Sequence, residues 1–459
     1  MSSLPPARTG QYSPPKFHVS RRSFLRHCGA VAALTGLPAW FLERELAAAE
    51  TSSRPAPVGR PGIALIGCGG QGRRDAANAA SFGDVVAVCD VDDDRLASAV
   101  KQFANEEKKP VGYTDFRRVL EQRDVHVVIN GTPDHWHTLI NIAAARAGKD
   151  VYAEKPLTLT IDEGRHVVAA VRKAGIILQT GTQQRSSQRF RLACELVRNG
   201  RIGKLQEANV WLPAGLREGP FKSEPVPAYL NWDYWLGQAP QVEYVPQRCR
   251  GRFRFWYDYS GGTMTDWGAH HNDIAYWAIG LIAPRDIEAE ALVEPIPGGY
   301  TAHSEYKVRY RYENGVRLNI ATTTDENPSG AKTKPDGQRN GIRFVGTEGW
   351  IWVNREQLTA SEPEILKAPL AANAVRLYQS SNHMENFFDC VQSRKPPICD
   401  AETGHRSATM CHLGSIALRT GLKLTWDAQR ERFTGEHATV ANRHVAREMR
   451  KPYGLGFAG

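Results

Sequence analysis

The sequence predicts an α/β fold: a doubly wound parallel sheet, followed by a second half built on an open, largely antiparallel sheet. Three observations predict it. Up to Thr180, short aliphatic runs at 63–66, 85–89 and 151–153 alternate with helical segments, as βα units do. The first run leads into Gly67-Cys68-Gly69-Gly70-Gln71-Gly72, a glycine spacing through which backbone can approach a pyrophosphate. Beyond residue 183, tryptophans, prolines and alternating β-branched stretches replace that rhythm.

The chain opens on Ser20-Arg21-Arg22-Ser23-Phe24-Leu25, an apolar run over 30–42 and the small-residue stretch Leu46-Ala47-Ala48-Ala49. These three parts in this order look like a twin-arginine export signal. They imply a chain that folds first and is then carried by the twin-arginine translocase to the periplasm or otherwise out of the cytoplasm. Residues 50–60, rich in Ser, Pro and Arg, read as a linker.

The strand at 63–66 meets the glycine turn. Gly67 permits the tight turn, Gly69 the close backbone approach, and Gly72 the packing of the next helix on the strand, with Gly70 and Gln71 between them. That helix, 73–80, directs its N-terminal N–H groups at phosphates. A second strand, 85–89, ends at Asp90, where a carboxylate can take the ribose hydroxyls and repel a 2′-phosphate. NAD is favoured over NADP, although Arg73 and Arg74 keep NADP open. Helices at 92–104 and 114–120 and a strand at 125–130 continue the pattern. A helix starts at Thr132-Pro133 and ends near Gly148, a strand ends at Ala153, a helix spans 161–174, and a strand spans 176–180. Six strands with helical crossovers are expected. Asn130, Thr132, Pro133 and His137 lie beyond a strand's carboxyl end, as neighbours of the nicotinamide ribose. Glu154-Lys155-Pro156 leaves the next strand end, so Lys155 points into the crevice where such sheets hold ligands.

Gln183 and Arg185 follow the last strand and are candidate substrate contacts. A helix over 190–199 closes at Gly200, and a strand spans 205–212. Residues 213–260 are irregular and hold Trp232, Tyr234, Trp235, Trp256 and Tyr257, with arginines at 248, 250, 252 and 254. Aromatic faces with arginines suit polyhydroxylated rings, and Trp256 and Tyr257 are taken as substrate residues. In the run 261–273, Asp266, His270 and Asp273 fall on one helical face. A carboxylate beside an imidazole fixes its tautomer and raises its basicity, while His271 turns away by about 100°. Asp and His at this spacing could also hold a metal, but no further ligand cluster accompanies them. Strands are expected at 287–292, 306–312, 316–324, 342–345 and 350–353, then helices at 382–393 and 404–420. The basic last thirty residues read as a helix wrapping a partner subunit or as a mobile tail.

Composition sets bounds. With 459 residues, 41% hydrophobic and 23% charged, the chain resembles a globular protein of two to three units. Its net charge is +9, and residues 1–49 hold six Lys/Arg against two Glu, leaving +5 for the remainder. That is too diffuse for a nucleic-acid footprint. The eight cysteines are scattered singly, unlike a disulfide framework.

Together, the glycine turn at Gly67, Glu154-Lys155-Pro156 and the Asp266/His270/Asp273 run resemble the Gfo/Idh/MocA oxidoreductases over essentially the whole chain after residue 60. The resemblance implies an N-terminal Rossmann domain and a C-terminal α/β domain with an open sheet. It also implies NAD(P) chemistry on sugars or cyclitols, and homo-oligomers, dimers or tetramers, packed through that sheet. Lys155 matches the family's active-site lysine, Asp266 its catalytic aspartate and His270 its catalytic histidine; Asp273 stands near the substrate. The implied domains are a signal at 1–49, a linker at 50–60, an NAD-binding domain at 61–182, a substrate and oligomerisation domain at 183–430 and a tail at 431–459. The insertion at 213–260 exceeds that of compact members and should line the substrate pocket. Free NAD is not expected outside the cytoplasm, so an exported member should hold its cofactor tightly and regenerate it. A sugar dismutase or a redox-assisted glycosidase would do so; a non-catalytic sugar-binding protein is the remaining alternative.

Overall fold

The computed structural model describes residues 37, 38, 40–42, 44, 45, 59–106, 108–280, 282–322 and 340–457. The twin-arginine motif, the Leu46–Ala49 stretch and Cys28 lie outside these residues. Contacts divide the chain into 1–54 and 55–459. In the first unit, helix is described over 40–42 and 44–45; all else below concerns the second.

The aliphatic runs form the predicted parallel sheet: β1 (Gly62–Ile66), β2 (Asp84–Cys89), β3 (Val111–Tyr113), β4 (Val127–Asn130), β5 (Asp150–Ala153) and β6 (Leu178–Thr180). Their order is β3-β2-β1-β4-β5-β6, parallel throughout. β1 lies at the centre and every residue in it is buried, which is why it reads as a continuous apolar run. β3 is the strand to which periodicity assigned no range: it is only three residues long, and two of them, Val111 and Gly112, are exposed at the sheet's edge.

The crossovers are α1 (Gly70–Ala79), α2 (Asp93–Phe103), α3 (Phe116–Leu120), α4 (Asp134–Arg146) and α5 (Ile161–Ala174). Asp92 caps α2, Asp115 caps α3 and Thr160 caps α5, each accepting a backbone N–H. The starts of α1, at Gly69, and α4, at Pro133, carry no side-chain cap. α1 begins three residues earlier than predicted, because Gly70 to Gly72 already take helical geometry.

The second half holds α6 (Gln188–Arg198), β7 (Leu205–Leu212), α7 (Gly268–Ile279), β8 (Asp286–Ala291), β9 (Tyr306–Arg311), β10 (Arg317–Thr322), β11 (Gly341–Gly346), β12 (Trp350–Val353) and β13 (Leu358–Ala360). Then come α8 (His383–Ser393), α9 (Ala401–Thr420), β14 (Leu424–Asp427) and β15 (Arg432–Thr434). The sheet order is β13-β12-β11-β7-β10-β9-β8-β14-β15. Among the described residues of this sheet only β7 and β10 pair in parallel; the other pairs are antiparallel, as expected.

The two halves share layers. Met384, Phe387 and Phe388 of α8 pack in one core with Ile63, Leu65 and Val127, and α9 approaches β6 so closely that a Cβ on Gly404 would lie 2.1 Å from Thr180 Oγ1. The 213–260 insertion buries its own aromatic cluster, including Trp232, Trp235 and Trp256. It reaches the parallel sheet's carboxyl edge, where Asn231 N donates to Val91 O at 3.0 Å.

The C-terminal segment packs on its own chain. Tyr453 lies edge-on to Trp136 at 5.8 Å, Phe457 packs on Tyr453 at 4.7 Å, and Arg450 donates to Asp233 Oδ1 at 2.6 Å. With Tyr453 only 7% exposed, Tyr453→Ala should cost about 3 kcal/mol in denaturant unfolding. A loss under ~1 kcal/mol would show that the segment does not buttress Trp136.

Candidate active site

Two cavities meet at the carboxyl ends of the parallel strands. The first, about 330 Å³, runs along the glycine turn and is bounded by Asp90, Thr132, His137 and Lys155. The second, about 780 Å³, opens beyond Lys155 towards His270 and Trp267. Gln71, Glu154, Lys155 and Arg254 border both.

The first cavity is a backbone cradle. Gly67 has φ +91°, and a Cβ there would lie 2.6 Å from Thr132 N; a Cβ on Gly72 would lie 2.2 Å from Gly67 O. Gly72 therefore acts from behind, by letting α1 sit on β1. Gly67, Gly69, Gly70 and Gln71 line the space itself. With Gly69 as its uncapped start and no acid in its first turn, α1 presents free N–H groups there, a ready anion site. Asp90 borders the same space, its carboxylate taking Cys68 N at 2.7 Å and Asp92 N at 2.9 Å. Burial raises its pKa, while these donors and Arg95 pull it down. Arg73 and Arg74 stand away from this cavity, and Arg74 faces the second one. The cradle, the uncapped helix and the acid fit a dinucleotide.

Across from the glycines, Thr132, Pro133 and His137 line the cavity. Asn130 stands behind them, fully buried; it accepts from Thr132 Oγ1 at 2.7 Å and donates to Asn141 at 2.9 Å, so it positions Thr132. His137 ties two turns together: Nε2 faces Thr132 O at 2.9 Å and Nδ1 faces Pro156 O at 2.7 Å. The Lys155–Pro156 peptide is cis.

At the junction, Lys155 Nζ donates to Asp266 Oδ1 at 2.5 Å, and Arg254 Nε donates to the same oxygen at 3.2 Å. Burial alone would raise the Asp266 carboxyl; Lys155 and Arg254 together hold it well below the usual carboxylate range. Behind Lys155, Glu154 lies beside Asp75, a residue the sequence patterns did not single out. Both are buried. Gln71 donates to Asp75 Oδ1 at 3.0 Å, and no donor faces Oδ2. Burial and the neighbouring carboxylate raise Asp75, and burial raises Glu154 despite Lys155. The two therefore share a proton.

The expected common face of Asp266, His270 and Asp273 requires correction. The Gly261-Gly262 segment makes a tight turn in which Asp266 N bonds Gly262 O at 3.0 Å, so Asp266 precedes α7 and is not on it. Asp273 turns into the core and takes a bidentate pair from Arg185, both bonds at 2.7 Å, with the two side chains 3% and 0% exposed. Neither Arg185 nor Asp273 borders a cavity with Lys155, because each satisfies the other's buried charge. Neither carboxylate hydrogen-bonds His270, whose Nδ1 is buried and unpartnered. Burial first, then Lys155 and Arg355, push this imidazole well below its ordinary pKa, with Asp266 opposing. His270 is a neutral ring on the second cavity's wall.

Gln183 lines that cavity and donates to Glu154 Oε1 and Tyr152 OH, each at 3.2 Å. Trp256 does not: it is 3% exposed, stacked under Arg248 at 3.9 Å. Tyr257 pairs with His303 at 2.8 Å and faces a separate cavity. The insertion lines chiefly the first cavity, through Tyr234, Trp235 and Phe253, and reaches the second at Arg254. Arg355, after β12, joins the second cavity without any local motif to announce it.

Residues 62–182 match an oxidoreductase family's NAD-binding Rossmann fold, and residues 211–455 match its C-terminal alpha/beta domain. A scyllo-inositol 2-dehydrogenase (NAD(+)) of Bacillus subtilis (strain 168) is 24% identical over 350 residues, 74% of this chain and 89% of its own. Among solved structures, the WlbA dehydrogenase from Bordetella pertussis, in complex with NADH and UDP-GlcNAcA, superposes with a TM-score of 0.59 at 18% identity, covering 80% of this chain and 99% of that one. A levoglucosan dehydrogenase in complex with NADH and levoglucosan gives 0.56 at 18% identity, with the same coverage of 80% and 99%. At these identities the structural likenesses establish the fold.

The shared proton has a signature. In the unfolded chain Asp75 ionises above ~3.9, whereas the folded pair keeps its proton to higher pH. Wild-type stability should therefore fall relative to Asp75→Asn as pH rises from about 5 to about 8, by at most ~1.4 kcal/mol per pH unit. Melting curves across that range measure it; a difference that does not change with pH would rule the shared proton out.

Proposed function

The chain belongs to the Gfo/Idh/MocA oxidoreductases, NAD-dependent dehydrogenases of CH–OH groups, and we propose that it oxidises a secondary hydroxyl of a sugar, cyclitol or glycoside in the cavity beyond Lys155. The observation that carries this reading is the position of Lys155, on the wall common to a dinucleotide cradle and a polar cavity holding His270.

NAD, when bound, supplies the acceptor for the hydride that leaves the carbinol carbon. Gly67, Gly69 and the free N–H groups of α1 would hold its pyrophosphate, Asp90 its ribose hydroxyls, and Thr132 and His137 the nicotinamide end. His270, neutral because it is buried between cations, takes the hydroxyl proton as the C–H bond breaks and the carbonyl forms. Lys155, held on Asp266 at rest, donates to the same oxygen and stabilises its developing negative charge. Arg254 keeps Asp266 ionised when Lys155 turns to substrate. Twin-arginine export, read from residues 20–49, adds a second element: the enzyme leaves the cytoplasm with NAD already bound and retains it between turnovers.

Lys155→Ala and His270→Ala should each abolish nicotinamide reduction while leaving the NAD content of the purified protein unchanged; near-normal turnover by either variant would remove that residue from the mechanism. Acid-denatured wild-type protein should release NAD in stoichiometric amount, and protein purified free of NAD would refute retention. Because the His270 pKa is lowered, the wild-type rate should stay level as pH falls from about 8 to about 6. A limb near ~6.5, the ordinary imidazole value, would show that His270 titrates as an unperturbed group.

A further inference from the structure

The second cavity carries more positive charge than its own acids can balance. Arg74, Lys155, Arg254 and Arg355 face it. Its acids are already committed: Asp266 to Lys155 and Arg254, and Asp75 with Glu154 to their common proton. Neither Arg74 nor Arg355 forms an ion pair among the described residues.

Unpaired surface arginines are common and mean little by themselves. Arg355 differs in how it is mounted. Its Nε donates to Gln184 Oε1 at 3.1 Å, and its guanidinium stacks on the Trp267 ring at 4.8 Å. Gln184 is buried, and its amide nitrogen donates to His270 O at 3.3 Å. The guanidinium is therefore fixed at two points, on Trp267, three residues before the base, and on Gln184, which holds the base's own carbonyl. Its two terminal nitrogens have no partner among the described residues. A planar fork held in this way matches a carboxylate or phosphate in bidentate fashion, with geometry a hydroxyl cannot reproduce.

We propose that the substrate is an anionic carbohydrate, a polyhydroxylated ring bearing a carboxylate or phosphate that Arg355 grips, with Arg74 adding charge from α1. This rests on the dehydrogenase reading of the same cavity. The arrangement also serves the chemistry, since an anion on Arg355 offsets one of the charges that oppose proton uptake by His270.

The test uses the NAD-loaded full chain and five probes: glucose, glucuronate, galactose, galacturonate and glucose 6-phosphate. Calorimetry reads binding, and nicotinamide absorbance reads turnover. At least one anionic probe should bind about tenfold or more tighter than its neutral counterpart. Arg355→Gln should lower the anionic-to-neutral ratio of kcat/KM by a similar factor, with Arg355→Lys restoring part of it. Neutral sugars binding and turning over as well as the anionic ones, no anionic probe binding, or an unchanged ratio in Arg355→Gln would each overturn the proposal. Selective anion binding without any nicotinamide reduction would instead overturn the dehydrogenase reading and leave the anion site standing.

Discussion

The Lys155–Asp266 ion pair joins the two halves of the molecule. Its partners are 111 residues apart in sequence and 2.5 Å apart in space, with side chains 10% and 25% exposed. A pair this sheltered is costly to break, because removing one partner strands the other's charge. It can form only if β5 delivers Lys155 to the crevice and the turn before α7 delivers Asp266 to the same point. Arg254, from the insertion, closes the triad. One carboxylate oxygen thus fixes the relative placement of the cofactor cradle, the substrate cavity and the insertion.

The hydrogen bonds around this triad follow the same logic of placing reactive groups through unreactive ones. His137 bridges the carbonyls of Thr132 and Pro156, so the turn bearing Lys155 is tied to the far wall of the dinucleotide cavity. Gln184 holds the His270 carbonyl and receives Arg355. Arg185 and Asp273, wholly buried, pin the 3₁₀ turn after β6 to α7. A charged pair there adds little net stability against an apolar substitute; its value is directional, since it sets the rotation of α7 and with it the direction of His270.

Much of this was legible in the sequence wherever a local rule determines the outcome. Gly67 and Gly72 are demanded by backbone contacts between neighbouring segments, and Asp90 by its place at a strand end. Lys155 follows from the end of β5, and the α5 and β7 boundaries from hydrophobic period alone. What escaped was set by distant partners. A helical wheel places Asp266, His270 and Asp273 together but cannot know that Arg185 is waiting in the core or that the glycines end in a turn. Trp256 has the composition of a sugar platform and is spent on packing. Asp75 lies on an ordinary helical turn and acquires meaning only from Glu154, and Arg355 only from Trp267 and Gln184. β3 was too short and too exposed to show a period at all.

The outer wall of the dinucleotide cavity is assembled from distant parts of the chain, which bears on how a cofactor would leave. Phe116, Trp136 and Tyr234 line it. Trp136 donates to Trp235 O at 2.9 Å and Tyr234 to Asp115 at 2.9 Å, while Tyr453 and Phe457 cover these rings from outside. Opening such a wall would require these aromatic contacts and hydrogen bonds to part together, which ties it to the packing of the domain and not to one loop. Among the described residues the cavity beyond Lys155 has no comparable cover: its walls are largely polar, and Arg74 and Arg355 are exposed at its rim. An aromatic wall on one side of Lys155 and an open polar cavity on the other support the proposed retention of nicotinamide between turnovers.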